Sequence, residues 1–103
     1  MRESTIKNYI IINENGKKYL YGEVFNDTRF PNGHIILTTE IVEEDKDNNV
    51  MFTENKTKYV LEQELTEKEF IEYVKKKYSE KITDENELKE YLSFILRPLK
   101  RNL

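Results

Sequence analysis

The chain has no cysteine and no tryptophan, one histidine, two prolines and three glycines among its 103 residues. Each scarcity removes a class of function. Without cysteine there is no disulfide framework, no thiolate metal site and no cysteine nucleophile. One histidine, His34, cannot supply the several His or Cys ligands that a transition-metal site usually wants. A serine-type triad needs that histidine as well, and Ser4, Ser79 and Ser93 all lack a nucleophile-elbow context. No glycine-rich phosphate loop or dinucleotide fingerprint occurs. No apolar run reaches the roughly 20 residues of a membrane helix. The start, Met1-Arg2-Glu3-Ser4-Thr5, lacks the apolar core of a signal peptide. The expectation is a soluble, cytoplasmic protein that is not an enzyme, with no catalytic residues, no metal and no cofactor.

What is present is charge and aromatic surface. Lys and Arg number 17 and Asp and Glu 20, for a net charge of −3. Both halves are near balance, so direct bulk DNA binding is not expected. With 20 acids some carboxylate pair always exists, so a glycosidase-like pair carries no specificity. Seven Tyr, five Phe and regular periodicity argue against disorder. The length suits a single domain with a thin core.

The first part reads as strands. Ile6–Ile12 is rich in β-branched residues. Asn15-Gly16 follows, a strong hairpin signal because a type I′ turn needs positive φ at both central residues. Lys17–Phe25 alternates, with Gly22 marking a bulge or a close approach by another backbone. His34–Val42 alternates as well, with Ile35, Leu37, Thr39 and Ile41 on one face and Ile36, Thr38, Glu40 and Val42 on the other. A turn over 45–49 leads to Val50–Thr53, and another over 54–56 leads to Thr57–Gln63. Spacings this short favour antiparallel neighbours.

The period then changes. Thr66-x-x-Glu69 is a capping box, and Phe70, Ile71, Val74 and Tyr78 follow at helical spacing. A second helix starts near Thr83 or Asp84 and carries Leu88, Tyr91, Leu92, Ile95 and Leu96 as one stripe. Pro98 should stop it, with Arg97 biased toward extended geometry. The expected fold is α+β: a curled antiparallel meander of four to five strands over 1–63, then a C-terminal two-helix hairpin over 66–97 packing on the sheet. A basic tail over 98–103 follows.

One loop stands out, Asn26 to His34. Pro31-Asn32-Gly33 is a turn by mechanism, since Pro presets φ and Asn or Gly tolerates positive φ. Arg29 beside Phe30 can hold a phosphate and a base together, the guanidinium by a fork and the ring by stacking. Gly33, His34, Thr38 and Thr39 could add backbone and side-chain hydrogen bonds. The structural alternative is an Arg29–Asp27 ion pair with Phe30 capping the barrel end.

The residues Gly22-Glu23-Val24 and Arg29-Phe30-Pro31-Asn32-Gly33-His34-Ile35-Ile36-Leu37-Thr38-Thr39 fit the pattern G-x-V, a gap, then R-F-x-[DN]-G-x-x-I-x-T-[ST]. That pattern resembles small phage and prophage accessory proteins over about residues 21–61. The resemblance implies a compact protein of a mobile element, acting in the host cytoplasm. Some such proteins antagonise bacterial immunity by sequestering nucleotide signals, and others block nucleases as anti-CRISPR proteins do. It points to Arg29, Phe30, Gly33, Ile36, Thr38 and Thr39.

A second surface is acidic: Glu40, Glu43, Glu44, Asp45 and Asp47. Such an array can imitate a phosphate backbone, or simply solvate a hairpin and blunt an edge strand. Lys75-Lys76-Lys77 suits the end of a helix, and Arg97, Lys100 and Arg101 make the tail basic. The leading expectation is a non-enzymatic binding protein that inhibits bacterial immunity by sequestering a small nucleotide signal through the 26–39 loop. One alternative is a protein inhibitor of a defence nuclease that uses the acidic 40–47 segment. The other is a structural or regulatory module of a mobile element. A homo-oligomer is plausible if strand edges are exposed, and no membrane partner is expected.

Overall fold

A computed structural model describes the backbone of residues 2–100 and the side chains of residues 2–99. The protein divides into two compact units, one ending at Leu65 and one beginning at Thr66. Alternation builds the first unit as β1 (Arg2–Glu14), β2 (Lys17–Phe25), β3 (His34–Asp45), β4 (Val50–Thr53) and β5 (Thr57–Glu64). They close into a barrel in the order β1-β2-β3-β4-β5. Every consecutive pair is antiparallel, as short connections require. The seam between β1 and β5 is parallel, from Arg2↔Thr57 to Tyr9↔Glu64. This follows from parity. Five strands that reverse direction at each turn leave the first and last pointing the same way, and the three intervening strands serve as the crossover. Closure also leaves this order of strands without an open end.

Local chemistry sets the register. Asn15 and Gly16 both take positive φ, 54° and 78°, between the last β1–β2 pair, Glu14↔Lys17. That is the two-residue hairpin that Asn-Gly favours. In β1 the pairing steps from Lys7↔Glu23 to Ile10↔Tyr21, three residues against two. The extra residue is accommodated around Asn8, whose φ is 51°. Gly22 is opposite this bulge. A Cβ there would stand 2.6 Å from Tyr9 Cβ and 2.8 Å from Tyr9 Cα, so only glycine lets the two backbones approach.

The barrel core is Ile6, Tyr9, Leu20, Val24, Ile36, Met51, Tyr59 and Leu61, with Ile11, Phe30 and Ile41 packed against it. The strict alternation expected for His34–Val42 does not hold. Between Leu37↔Tyr21 and Glu40↔Tyr19, β3 spends three residues against two of β2. The bulge reverses the facing of β3, so Ile36 and Ile41 both reach the core although the alternation put them on opposite faces. Leu37 and Val42 consequently both lie exposed, at 49% and 61%.

The second unit contains α1 (Glu67–Ser79), α2 (Glu85–Ile95) and α3 (Arg97–Lys100). Thr66 caps α1 through a complete capping box. Its hydroxyl accepts from Glu69 N–H at 3.2 Å, while Glu69 accepts from Thr66 N–H at 2.9 Å. Phe70, Val74 and Tyr78 are buried four residues apart, which is one helix face. Asp84 caps α2 by accepting from Asn86 and Glu87 N–H. Tyr78 of α1 meets Tyr91 of α2, ring centroids 4.5 Å apart.

The expected C-terminal end needs correction. Pro98 does not open a tail, and Arg97 is not extended: α2 ends at Ile95 and residues 97–100 form α3. Proline is tolerated there because the N–H groups of a first helical turn have no intrahelical acceptor. The side chains of Lys100 and Arg101, expected as part of the basic tail, lie outside the described residues. Among the described residues no helix is long and apolar enough to cross a membrane.

Candidate functional site

The loop from Asn26 to Gly33 joins β2 to β3 and turns back onto the barrel. Its turn chemistry is local. Asn32 Oδ1 accepts from Asn26 N–H at 2.9 Å, Asn26 sits at φ 59°, and Gly33 takes φ 87° while its N–H donates to Val24 O at 2.8 Å. These bonds fold the loop back toward the start of β3.

Asp27 anchors it. Its side chain is wholly buried and accepts four hydrogen bonds: Ser4 Oγ at 2.6 Å, Arg29 N–H at 2.8 Å, Arg29 Nε at 3.0 Å and Arg29 Nη2 at 2.8 Å. Arg29 Nη2 also donates to Tyr59 O–H at 3.3 Å. The loop is thereby tied to β1 through Ser4 and to β5 through Tyr59. The Arg29 guanidinium, the buried site's own desolvation opposing it, holds the Asp27 carboxyl far below the usual carboxylate range. Asp27 in turn raises Arg29 above the usual guanidinium value. The fork that could take a phosphate is thus filled by a carboxylate of the same protein, the alternative that the sequence also offered.

The remaining predicted ligand residues divide. Phe30 packs against the barrel core and stacks on His34, rings 5.5 Å apart and 8° from parallel. The Arg29 guanidinium carbon lies 5.3 Å from the Phe30 ring centroid. Arg29 and His34 therefore both approach the Phe30 ring, and His34 is exposed. Thr38 is buried and bridges the β3 bulge, its hydroxyl accepting from Leu20 N–H at 3.0 Å and donating to Thr39 O at 2.8 Å. It satisfies backbone groups that the bulge leaves without ladder partners. Thr39 is exposed beside it. A shallow cleft of about 260 Å³ lies at the loop's root between Thr5, Lys7, Phe25, Asn26 and Glu62. Neither Arg29 nor Phe30 lines it.

The acidic segment is interleaved with lysines from β2. Glu40 lies 4.0 Å from Lys17 and Glu44 lies 3.7 Å from Lys18. Asp45 closes the β3–β4 turn, accepting from Asn48 Nδ2 at 2.8 Å and from Asn48 N–H at 3.2 Å, which lower its pKa. Glu43 and Asp47 enter no ion pair among the described residues. A cleft of about 190 Å³ runs between Lys17, Lys18, Glu40, Val42, Glu43 and Glu44. Exposed Val42 and Leu37 stand on the same strand as these charges.

Ser4 and Tyr59 belong to the loop's anchor, and no local pattern in the sequence marks them. They lie 23 and 30 residues from their respective partners, Asp27 and Arg29. Only the closure of β1 on β5 puts them side by side, at the register pair Ser4↔Tyr59. Among the described residues no group of three or more His, Cys, Asp or Glu side chains could hold a metal ion. No family model, curated protein or solved structure matches the sequence.

Proposed function

We propose that this is a non-enzymatic binding protein that engages a protein partner through the outer strip of β3. The observation that carries this reading is the exposure of Leu37 and Val42, at 49% and 61%, on a strand edged with Glu40, Glu43 and Glu44. Large exposed aliphatics beside charges are what an interface with an apolar centre and polar rim needs. Glu43, outside the lysine pairs that hold Glu40 and Glu44, favours a partner with a basic surface. The resemblance to phage accessory proteins supports a bacterial defence effector, such as a nuclease, as that partner.

The test is complex formation in host extract, followed by size exclusion with the captured, identified protein. Glu43→Lys with Glu44→Lys, and separately Val42→Asp, are expected to abolish the complex while the fold persists. Asp45 is unsuitable for charge reversal because it holds the turn. Persistence of the complex in both variants sinks this reading.

The Phe30–His34 stack favours a second reading, a small nucleotide signal bound on the exposed end of that stack. A ligand that binds only the folded state raises the melting temperature. Cyclic nucleotides and ADP-ribose derivatives at micromolar concentration are then expected to raise Tm, and a flat panel removes this second reading.

A further inference from the structure

Two Asn-Gly pairs occur in the sequence, Asn15-Gly16 and Asn32-Gly33, and the fold treats them in opposite ways. We propose that Asn15 is a site of spontaneous deamidation and that Asn32 is protected from it by the fold. The chemistry needs no cofactor. The Gly N–H loses its proton and the nitrogen attacks the Asn Cγ, forming an N–C bond. The Cγ–Nδ2 bond breaks and ammonia leaves with the proton. Water then opens the resulting succinimide to an aspartyl or isoaspartyl residue. Glycine in second place favours attack because no side chain hinders the nitrogen.

At Asn15 the reacting groups are open. Asn15 and Gly16 are both exposed. A Cβ built on Gly16 meets nothing within 4 Å, so water and base reach the site freely. Among the described residues, Gly16 N–H makes no turn or loop hydrogen bond to the backbone. A two-residue hairpin assigns its ladder bonds to the flanking Glu14↔Lys17 pair, not to the turn residues.

At Asn32 both reacting groups are held. The nucleophile, Gly33 N–H, donates to Val24 O at 2.8 Å. The electrophile's oxygen, Asn32 Oδ1, accepts from Asn26 N–H at 2.9 Å. Attack must break the Gly33 N–H bond to Val24 O and so loosen the loop from the start of β3, while the Asn26 bond holds the Asn32 side chain in its turn.

Gly16, the residue after Asn15, lines the cleft formed with Lys17, Lys18, Glu40 and Glu43. Deamidation therefore adds a carboxylate next to that cleft, and the isoaspartyl form adds a backbone atom to a turn of fixed length.

The test is incubation of the purified protein at mildly alkaline pH, with peptide mapping that separates aspartyl from isoaspartyl products. In the folded protein, conversion at Asn15 is expected to exceed that at Asn32 by roughly tenfold or more, equivalent to about 1.4 kcal/mol of barrier. In concentrated urea the two rates are expected to converge, because both sites then share the same Asn-Gly chemistry. Equal rates in the folded protein, a faster Asn32, or a ratio that survives in urea each overturns the proposal. Asn32→Asp serves as a second check: it keeps the acceptor for Asn26 N–H, and Asn15 is expected to convert at an unchanged rate.

Discussion

Asp27→Ala tests the anchoring of the β2–β3 loop to the barrel. The substitution leaves the Arg29 guanidinium without its fork and leaves the Ser4 hydroxyl buried without an acceptor. Breaking a buried pair by removing one partner costs about 3–5 kcal/mol. Arg29 keeps 29% of its side chain exposed, so water recovers part of its solvation and the low end applies. The orphaned Ser4 hydroxyl adds about 1 kcal/mol. The expected loss is about 4 kcal/mol, a large fraction of the roughly 5–15 kcal/mol that holds a domain folded. Ser4→Ala alone removes one bond to a charged acceptor and is expected to cost about 1.5–2 kcal/mol.

The assay is urea unfolding followed by tyrosine near-ultraviolet dichroism, at neutral and acidic pH. Asp27 has a folded pKa below its ordinary value of 3.8. The unfolded state therefore binds the proton first, and the carboxylate's contribution is complete above that value. It declines as pH falls from about 5 through 3 toward the lower folded pKa. The gap between parent and Asp27→Ala is expected to narrow over that window. A loss below about 1 kcal/mol at neutral pH, or a gap that does not change with acid, refutes the account of this loop.

Three further outcomes follow from the same structure. Gly22→Ala drives a Cβ into the Tyr9 backbone and is expected to cost about 1–3 kcal/mol, read as a Tm drop of roughly 4–8 °C per kcal/mol. Thr38→Val keeps the shape but orphans Leu20 N–H inside the sheet, so a loss of about 1–3 kcal/mol is expected in chemical denaturation. Thr66→Ala removes half of the capping box and is expected to cost about 1 kcal/mol, with lower helical dichroism. Val at position 38 behaving like the parent, or Ala at position 66 leaving helicity unchanged, counts against those assignments.

Much of the architecture was legible because its causes are local. Asn15-Gly16 needs only its own φ angles to make a hairpin, and Thr66 with Glu69 needs only one helical turn to make a capping box. Gly22 announced a close approach because a missing side chain has few other uses inside a strand. The barrel seam was not legible, since alternation reports which face a residue uses and not which strand lies beside it. The first residues of β1, Arg2–Thr5, lack an apolar rhythm, because Ser4 turns inward for Asp27 and not for the apolar core. The β3 bulge hid for a similar reason: an extra residue is visible only against the partner strand. Arg29 shows the same limit at the site. An arginine next to an aromatic is compatible with a phosphate or with a carboxylate, and the choice was made by the burial of Asp27 two residues earlier.

The parallel seam has a consequence for the order of events in folding. Hairpins close short loops, but the seam joins Arg2 to Thr57 and cannot form until nearly the whole barrel sequence is in hand. Loop-closure entropy must be met there before any pairing rewards it, so the seam belongs late on the folding path. During synthesis the Arg2–Tyr9 edge of β1 lacks its β5 partner until β5 has emerged. The anchor that ties Asp27 and Arg29 to Ser4 and Tyr59 spans that same seam. Of the anchor's bonds, the one from Arg29 to Tyr59 needs β5 in place, which makes it a reporter of completed closure.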